Sequence, residues 1–369
     1  MPHGVYLHIP FCASRCIYCD FHSQTDLSLR PTYVDALCRE ALLRAEETGG
    51  EPASTIYIGG GTPSLLTTPQ LHRIFHTLQQ IGGWLPDAEI TLEANPDDLS
   101  PQRIAEWAYL PVNRISLGVQ TFDNQRLRFL HRRHTARQAI DAVRQLQRAG
   151  YTNLSIDLIY GHPGQNLTQW ADDLEQAISL NVAHLSAYAL TYETGTPLHR
   201  LVERGAVEPL DDDTVADMYD LLCQRMAQAG YVHYELSNFA KTHCHSRHNT
   251  AYWTQIPYMG LGAGAHSYDG ISRSWNPPLD DYLKGLPPQR EQLSYDDRFN
   301  ERILTRLRTA QGLNINELEN DFSPTLADAL LHAAQPYVTA GKLLRQGPWI
   351  RLDERAMFVS NGIIAQLMR

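Results

Sequence analysis

The stretch YLHIPFCASRCIYCDF, residues 6–21, decides the fold prediction because it joins a strand-like segment directly to a group of cysteines. Cys12, Cys16 and Cys19 are half of the six cysteines in the chain. Thiolates this close in sequence can hold one soft metal centre. A structural zinc site normally takes four protein ligands, and His22 is the one further candidate nearby. The spacing therefore favours an iron–sulfur cluster with one open iron, and zinc remains the alternative.

Strand-like segments recur through the first half of the chain, and each is followed by a stretch with apolar residues at helical spacing. The segments are GVYLHI (4–9), TIYIGGG (55–61), EITLEAN (89–95), RISLGVQ (114–120), NLSIDLIYG (153–161) and HLSAYALT (184–191). Strands that alternate with helices predict a parallel sheet built from βα units. We therefore expect an α/β fold, a partial TIM-like barrel of six units.

The regular alternation of strand-like and helix-like segments ends after residue 191, which suggests that the chain has three regions. We expect the partial barrel over 1–200, an extension and linker over 201–290, and a smaller C-terminal α+β domain, winged-helix-like, over 291–369. The Pro-rich segment 276–289 is interpreted as a connector. The segment GLGAGA (260–265) fits a dinucleotide fingerprint, but it lacks a clear strand before it and a clear helix after it. A close-packed turn is the preferred interpretation.

Composition excludes several classes of protein. Hydrophobic residues make up 43% and charged residues 20% of the 369, as in a globular protein. The net charge of −10 argues against nucleic acid as the main partner. No apolar run of about 18 residues predicts a transmembrane helix, and the first residues do not resemble a signal peptide. Cys38, Cys223 and Cys244 are scattered rather than arranged as a disulfide framework, so we expect a cytoplasmic protein.

The alternation of side chains along the strands predicts where chemistry occurs. Apolar residues on one face of each strand must meet the outer helices, so the polar residues opposite them line the interior. Glu93, Gln120 and Asp157 then converge near the carboxyl ends of three strands, where catalytic sites of such folds lie. Structural caps or loop contacts are the alternative for each residue taken alone.

The cysteine loop, with an aromatic residue before its last cysteine, resembles that of the radical S-adenosylmethionine (SAM) superfamily, in its coproporphyrinogen-oxidase-like branch. The resemblance covers most of the chain. It implies a [4Fe-4S] cluster on Cys12, Cys16 and Cys19, with SAM on the fourth iron. The SAM-binding residues implied by the resemblance are Tyr6, Tyr18, Gly60, Gly61, Thr62, Glu93, Gln120, Arg132 and Asp157.

Two features favour one part of this branch. The oxygen-independent coproporphyrinogen dehydrogenases usually carry a fourth cysteine two residues after the third, where this chain has Phe21. The segment RHNTAYW (247–253) is similar to the HNxxYW motif of the branch's heme chaperones, which implies His248 as a heme ligand. An imidazole can supply an axial nitrogen to iron. A turn-capping role for His248 is the alternative reading, and His243, Cys244 and His245 are alternative ligands.

The resemblance therefore implies a heme chaperone that delivers heme to acceptor hemoproteins, such as membrane-associated respiratory ones. It is expected to be a monomer or homodimer, and whether it is an enzyme stays open. The first alternative is an oxygen-independent coproporphyrinogen III dehydrogenase, which acts by radical oxidative decarboxylation. The second is a structural zinc protein.

Overall fold

The first half of the chain forms six βα units in the computed structural model, which describes residues 3–369. The strands are β1 (Gly4–Ile9), β2 (Ala53–Gly60), β3 (Trp84–Ala94), β4 (Arg114–Gln120), β5 (Asn153–Tyr160) and β6 (His184–Ala189). The helices are α1 (Arg30–Leu43), α2 (Thr68–Gln80), α3 (Pro101–Trp107), α4 (Asn124–Phe129), α5 (Ala136–Arg148) and α6 (Leu167–Ser179). Short 3₁₀ turns cover Leu27–Leu29, Ala45–Thr48, Pro63–Leu65 and Pro96–Asp98.

The outer helices begin at residues that are typical of helix N-termini. Helices α2, α5 and α6 each start with a capping box, in which a Thr or Asn side chain and a Gln three residues later satisfy each other's backbone N–H groups. Helix α5 then buries Ala139, Ala142, Val143 and Leu146, which lie on one face at helical spacing. This apolar face packs on the sheet, whose outward residues are also apolar.

Strands β1 to β6 pair in parallel and in chain order, which confirms the predicted arrangement. The alternation along them is also as predicted. Leu92 and Ile115 pair across β3 and β4 and lie in the hydrophobic core, whereas Glu93 and Ser116 pair on the opposite face. All six strands deliver their carboxyl ends to one edge, so polar residues near those ends meet there.

The second half adds strands that the sequence pattern did not reveal. It contains α7 (Pro197–Glu203), α8 (Asp212–Gln228), β7 (Val232–Glu235), β8 (Asn238–Ala240), α9 (Arg247–Trp253), β9 (Tyr258–Leu261), β10 (His266–Tyr268), β11 (Ser272–Trp275), α10 (Leu279–Leu283) and β12 (Gln289–Gln292). Strand β9 pairs in parallel with β1, and β10 to β12 continue the sheet antiparallel. Strands β8 and β7 extend the other edge, so the described sheet has twelve strands and stays open.

The segment 260–265 lies at the end of β9 and is a close-packed turn. A Cβ on Gly260 would lie 1.9 Å from the His266 carbonyl oxygen, and one on Gly262, where φ is +99°, would lie 2.3 Å from the Tyr33 hydroxyl. Only glycine fits such approaches. The segment 276–289 is more than a connector, because it contains α10, whose buried Tyr282 donates a hydrogen bond to Glu40 on α1.

The C-terminal part has the element order of a winged helix. It consists of α11 (Tyr295–Leu307), β13 (Leu313–Asn314), α12 (Ile315–Asp321), α13 (Pro324–Thr339), β14 (Leu343–Gln346), β15 (Trp349–Leu352), a 3₁₀ turn (Arg355–Met357) and α14 (Ser360–Ala365). The three strands form a separate antiparallel sheet in the order β13-β15-β14. One hydrophobic cluster runs from the barrel strands into these helices.

Across residues 3–369, no helix combines the length and the apolarity that a membrane span needs.

Candidate cofactor site

The cysteine loop follows β1 and is held at its base and at its tip. At the base, Cys12 N–H donates to the Gln24 carbonyl (2.9 Å) and Gln24 N–H donates to the Pro10 carbonyl (2.8 Å). At the tip, Ile17 N–H donates to the Leu130 carbonyl (3.3 Å), and the Ile17 carbonyl accepts from Leu198 N–H (2.9 Å). The loop is thus fixed to two other parts of the barrel, which positions its thiols.

The three thiols of the loop line a cavity of about 490 Å³ at the carboxyl ends of the strands. The Thr62 hydroxyl donates to Cys12 Sγ (3.6 Å) and the Arg132 guanidinium donates to Cys16 Sγ (3.4 Å). Hydrogen bonds of this kind, donated to the ligand sulfur atoms, help to set the reduction potential of an iron–sulfur cluster. Burial raises the pKa of the Cys19 thiol to about 11. At neutral pH this thiol is therefore expected to ionise to a thiolate only when it binds a cation.

The spacing of the thiols fits a cluster better than a single zinc ion. Within residues 3–369, the one group of three His, Cys, Asp or Glu side chains with ligand atoms all within 4.8 Å of one another lies elsewhere and includes none of these thiols. Sulfur atoms around one tetrahedral zinc ion are about 3.8 Å apart, given Zn–S bonds near 2.3 Å. A four-iron cluster spreads its ligands more widely, so the donor set fits that group.

The glycine turn after β2 lies against the start of the cysteine loop. At Gly60 φ is +108°, and a Cβ there would lie 2.6 Å from the His8 ring. A Cβ on Gly61 would lie 2.8 Å from the Phe11 carbonyl oxygen. Both glycines and Thr62 line the cavity, so this turn offers backbone rather than side chains to a ligand.

Two carboxyl groups face the cavity from β3 and β5. Glu93 accepts hydrogen bonds from the Tyr57 hydroxyl (2.7 Å) and from Gly60 N–H (3.0 Å). Burial, and then the nearby Asp157 charge, raise the pKa of Glu93 to about 7 against the effect of these hydrogen bonds. Burial also raises the pKa of Asp157, which accepts from the Ser116 hydroxyl at 3.3 Å. These acceptors suit hydroxyl or ammonium groups of a ligand.

The Arg132 guanidinium connects the cluster side of the cavity to the strand ends. It donates to the Gly118 carbonyl (2.7 Å) and to the Asn95 side chain, in addition to Cys16. Its Nε is buried and has no hydrogen-bond partner among residues 3–369. The Arg132 residue lines the cavity, where its positive charge can attract an acidic group of a ligand.

Gln120 reaches the cavity through a strained backbone. Its φ is +71°, in the left-handed region, and the pairing of β4 with β5 shifts register between Gly118 and Gln120. Bulges of this kind re-aim side chains next to functional sites. His131, at φ +60°, also lines the cavity in a left-handed conformation.

The structure brings together most of the residues that the sequence predicted. Tyr18, Gly60, Gly61, Thr62, Glu93, Gln120, Arg132 and Asp157 all line the cavity with the three cysteines. Asn95, Ser116 and Tyr188 line it too, although they were not among the predicted site residues. The alternation along β3, β4 and β6 carries a signal for all three, since each lies on the inward face.

Tyr6 and His248 lie outside this cavity, deeper in the barrel. The Tyr6 hydroxyl contacts His8 Nδ1 at 3.0 Å, and its ring stacks near His248 with 6.4 Å between centroids. Tyr6 is thus a predicted SAM-binding residue that is not among the residues lining the cavity.

His248 is 1% exposed, and both of its ring nitrogens are hydrogen-bonded. Thr55 Oγ1 lies 2.8 Å from Nδ1, and the Tyr252 hydroxyl lies 2.9 Å from Nε2. The His248 backbone N–H donates to Glu89 Oε1 (3.0 Å). Burial, and then the Arg114 charge, lower the pKa of His248 to about 3. A Cβ on Gly4 would lie 3.3 Å from the His248 ring, and Gly4 and Thr55 belong to the amino-terminal halves of β1 and β2, so His248 lies at the barrel end opposite the cysteines.

The three alternative heme ligands precede α9 in a loop. The His245 ring stacks on Tyr234, with 4.2 Å between centroids and 9° between planes, and His243 has φ +65°. Cys244 is partly buried.

Comparison with known proteins agrees with this architecture. Residues 6–177 match the radical SAM superfamily, and residues 293–359 match the HemN C-terminal domain. The chain is 37% identical to "Heme chaperone HemW" of Mycobacterium tuberculosis over 378 residues, covering 100% of this chain and 95% of the relative. It is 38% identical to the protein of the same name from Lactococcus lactis over 326 residues, covering 87% and 85%.

The solved structure of coproporphyrinogen III oxidase (HemN) from Escherichia coli superposes with a TM-score of 0.87 over 100% of this chain and 90% of that one, at 22% identity. This likeness concerns the fold. The two matched domains, the full-length similarity to the HemW proteins and the shared fold lead to one conclusion: the chain belongs to the radical SAM superfamily, in the HemN-like branch that includes the HemW proteins.

Proposed function

We propose that this protein is a heme chaperone that holds a [4Fe-4S] cluster and SAM in its barrel cavity and delivers heme to acceptor hemoproteins. One observation carries the proposal: the relatives that match it over nearly their whole length bear the name heme chaperone HemW. HemN shares the fold, but at 22% identity that likeness does not extend to its reaction.

Cys12, Cys16 and Cys19 would hold three irons of the cluster, and the fourth iron would be open to SAM. Once reduced by an external electron donor, the bound cluster would supply the electron that cleaves SAM. Glu93 and Asp157 would accept hydrogen bonds from SAM, and the charge of the Arg132 guanidinium would attract its carboxylate. The glycine turn allows SAM to approach the backbone closely.

His248 remains the proposed heme ligand, and its surroundings set a condition on that role. Nε2 can bind iron only after it loses the Tyr252 hydroxyl, and Nδ1 is held by Thr55. Because His248 lies inside the barrel end on α9, heme can reach it only if α9 moves outward. We therefore propose that heme binding displaces α9. His243, Cys244 and His245 are the alternative ligands, since they lie in the loop that precedes this helix.

The test is an anaerobic heme titration of the cluster-reconstituted protein, followed by absorbance. Saturable one-to-one binding that weakens in His248→Ala, but not in a control with the exposed α2 histidine changed, His72→Ala, would support both the function and the ligand. Equal binding in all three proteins would move the ligand to His243, Cys244 or His245. No saturable binding to the wild type would refute the chaperone proposal.

Delivery is tested separately from binding. Heme-loaded protein is mixed with an apo-hemoprotein, and the spectrum of the reconstituted acceptor is followed; respiratory hemoproteins in membranes are the acceptors to try first. Transfer faster than from free heme supports delivery. The rival reaction predicts that reduced protein with SAM converts coproporphyrinogen III to protoporphyrinogen, and formation of that product would favour a dehydrogenase instead.

A further inference from the structure

A second group of metal-ligand side chains lies outside the cofactor cavity, between the barrel and the C-terminal domain. Cys223 is on α8, His233 is on β7, and Glu354 follows β15. Their ligand atoms all lie within 4.8 Å of one another, with His233 Nδ1 4.0 Å from Cys223 Sγ and 3.1 Å from Glu354 Oε1. No part of the cluster, SAM or heme proposal uses these residues.

The hydrogen bonding of His233 allows its Nδ1 to become a metal ligand. Its Nε2 lies 3.4 Å from the Leu236 carbonyl oxygen and its Nδ1 lies 3.1 Å from Glu354 Oε1, and both oxygens can only accept hydrogen bonds. A cation that replaces the proton on Nδ1 would therefore be bound by Nδ1 and the carboxylate, while Nε2 keeps its proton and donates it to the Leu236 carbonyl. Three electron-pair donors that face one another are brought together by a cation. A carbonyl that fixes the tautomer of a ligating histidine is the usual outer partner in metal sites.

The geometry suits a borderline-soft ion such as zinc. Bonds near 2.3 Å to sulfur and 2.0–2.1 Å to nitrogen or oxygen place S and N about 3.5 Å apart and N and O about 3.3 Å apart around a tetrahedral ion. The observed 4.0 Å and 3.1 Å differ from these by roughly half an ångström or less, within the reach of small side-chain rotations. The Glu354 side chain is 50% exposed, so water can take the fourth position.

Neighbouring aromatic residues hold the ligands in place before any ion binds. The Phe239 ring stacks on His233, with 4.2 Å between centroids and 14° between planes. The Tyr219 hydroxyl donates to the Glu354 backbone carbonyl at 3.3 Å, which ties the C-terminal domain to α8. The His233 side chain is only 6% exposed. Such support lowers the entropy cost of assembling the site.

We propose that Cys223, His233 and Glu354 form a zinc site that ties the C-terminal domain to the barrel. Two of the ligands come from the barrel side, on α8 and on β7, and one comes from the segment after β15. Binding of the ion only to the docked arrangement stabilises that arrangement by mass action. The competing explanation is an ion pair between His233 and Glu354, in which Cys223 has no part.

The test uses the full-length, cluster-reconstituted protein, in which iron occupies the cysteine loop. After incubation with zinc chloride and desalting, elemental analysis should find about one zinc per chain in the wild type. Losing an outer partner alone costs about 10–100-fold in metal affinity, so Cys223→Ala and Glu354→Gln should weaken zinc binding at least that much. Cys38→Ala, which changes another buried cysteine, is the matched control and should bind zinc like the wild type.

A second measurement separates a metal site from a structural contact. Zinc should raise the thermal unfolding midpoint of the wild type and of Cys38→Ala, but not that of Cys223→Ala or Glu354→Gln. Glu354 is half exposed, so Glu354→Gln is expected to fold even if Cys223→Ala does not. Cobalt(II) in place of zinc should give a thiolate charge-transfer band that is absent in Cys223→Ala.

Zinc binding that is equal in the wild type and Cys223→Ala, or absent from the wild type, would overturn the proposal. Either result leaves the heme chaperone proposal untouched, because the two rest on different residues.

Discussion

Replacing His248 with alanine should destabilise the protein even when no heme is present. The ring is buried, and it is the hydrogen-bond partner of the Thr55 and Tyr252 hydroxyls. Each buried hydroxyl left without a partner costs about 1–3 kcal/mol. The vacated ring volume adds a cavity term, so we expect the free energy of unfolding at pH 8 to fall by about 3–5 kcal/mol.

The same variant should also change how stability depends on pH. The pKa of His248 is lowered to about 3 in the folded protein, whereas an unfolded histidine titrates near 6.5. The unfolded chain therefore binds a proton first, and the stability that neutral His248 contributes is present above pH 6.5 and is lost as the pH falls toward 3. At pH 5 the loss is about 2 kcal/mol, so the difference between wild type and His248→Ala should narrow by that amount from pH 8 to pH 5.

The assay is urea unfolding of heme-free protein at both pH values. Tyr252→Phe is the matched control, because it removes one hydrogen bond and keeps the imidazole. This substitution should lower the free energy of unfolding by about 1–2 kcal/mol. The stability of this variant should depend on pH in the same way as that of the wild type. A loss below about 1 kcal/mol in His248→Ala, or a difference that does not change with pH, would refute the arrangement described for this ring. A loss of stability that small would also mean that the imidazole is free to bind iron without movement of α9. Heme titrations of this variant must accordingly be compared at equal folded fractions.

The cofactor cavity makes further predictions. Gly60→Ala should lower the free energy of unfolding by about 1–3 kcal/mol because of its φ of +108° and the nearby histidine ring; Gly230→Ala, with φ +80° but open space, should cost less in the same urea assay. Cys16→Ser should lose the brown colour and the iron after anaerobic reconstitution, whereas Cys38→Ser keeps both. Glu93→Gln should weaken SAM binding in equilibrium dialysis. Because the pKa of Glu93 is about 7, wild-type affinity should rise from pH 6 to pH 8 by at most about tenfold per unit, and a flat wild-type profile would contradict this role.

Period-2 alternation was sufficient to predict the inward carboxylates. Glu93 and Asp157 face the cavity because successive side chains on a strand point to opposite faces, and their apolar neighbours must cover the core. Alternation also assigned Gln120 to the interior, but the register shift and left-handed φ that bring it there have no sequence signature.

Contacts between distant segments were beyond sequence reasoning. Strand β9 has only four residues, Tyr258–Leu261, and its partner β1 lies more than 240 residues earlier, at Gly4–Ile9. Neither period nor propensity is visible over so short a segment. For the same reason, sequence reasoning identified Cys223 only as a scattered cysteine. The fold places its sulfur within 4.8 Å of ligand atoms of His233 and Glu354.

The sequence by itself determined the βα rhythm, the cysteine loop and the inward face of each strand, because these depend on neighbours within one strand or one loop. Tertiary structure alone decided that the HNxxYW helix α9 would lie at the barrel end opposite the cysteines, with His248 buried between Thr55 and Tyr252. A motif specifies which side chains are present, but their access to solvent and ligands is set by whichever strands pack against them, and that packing follows from the whole chain.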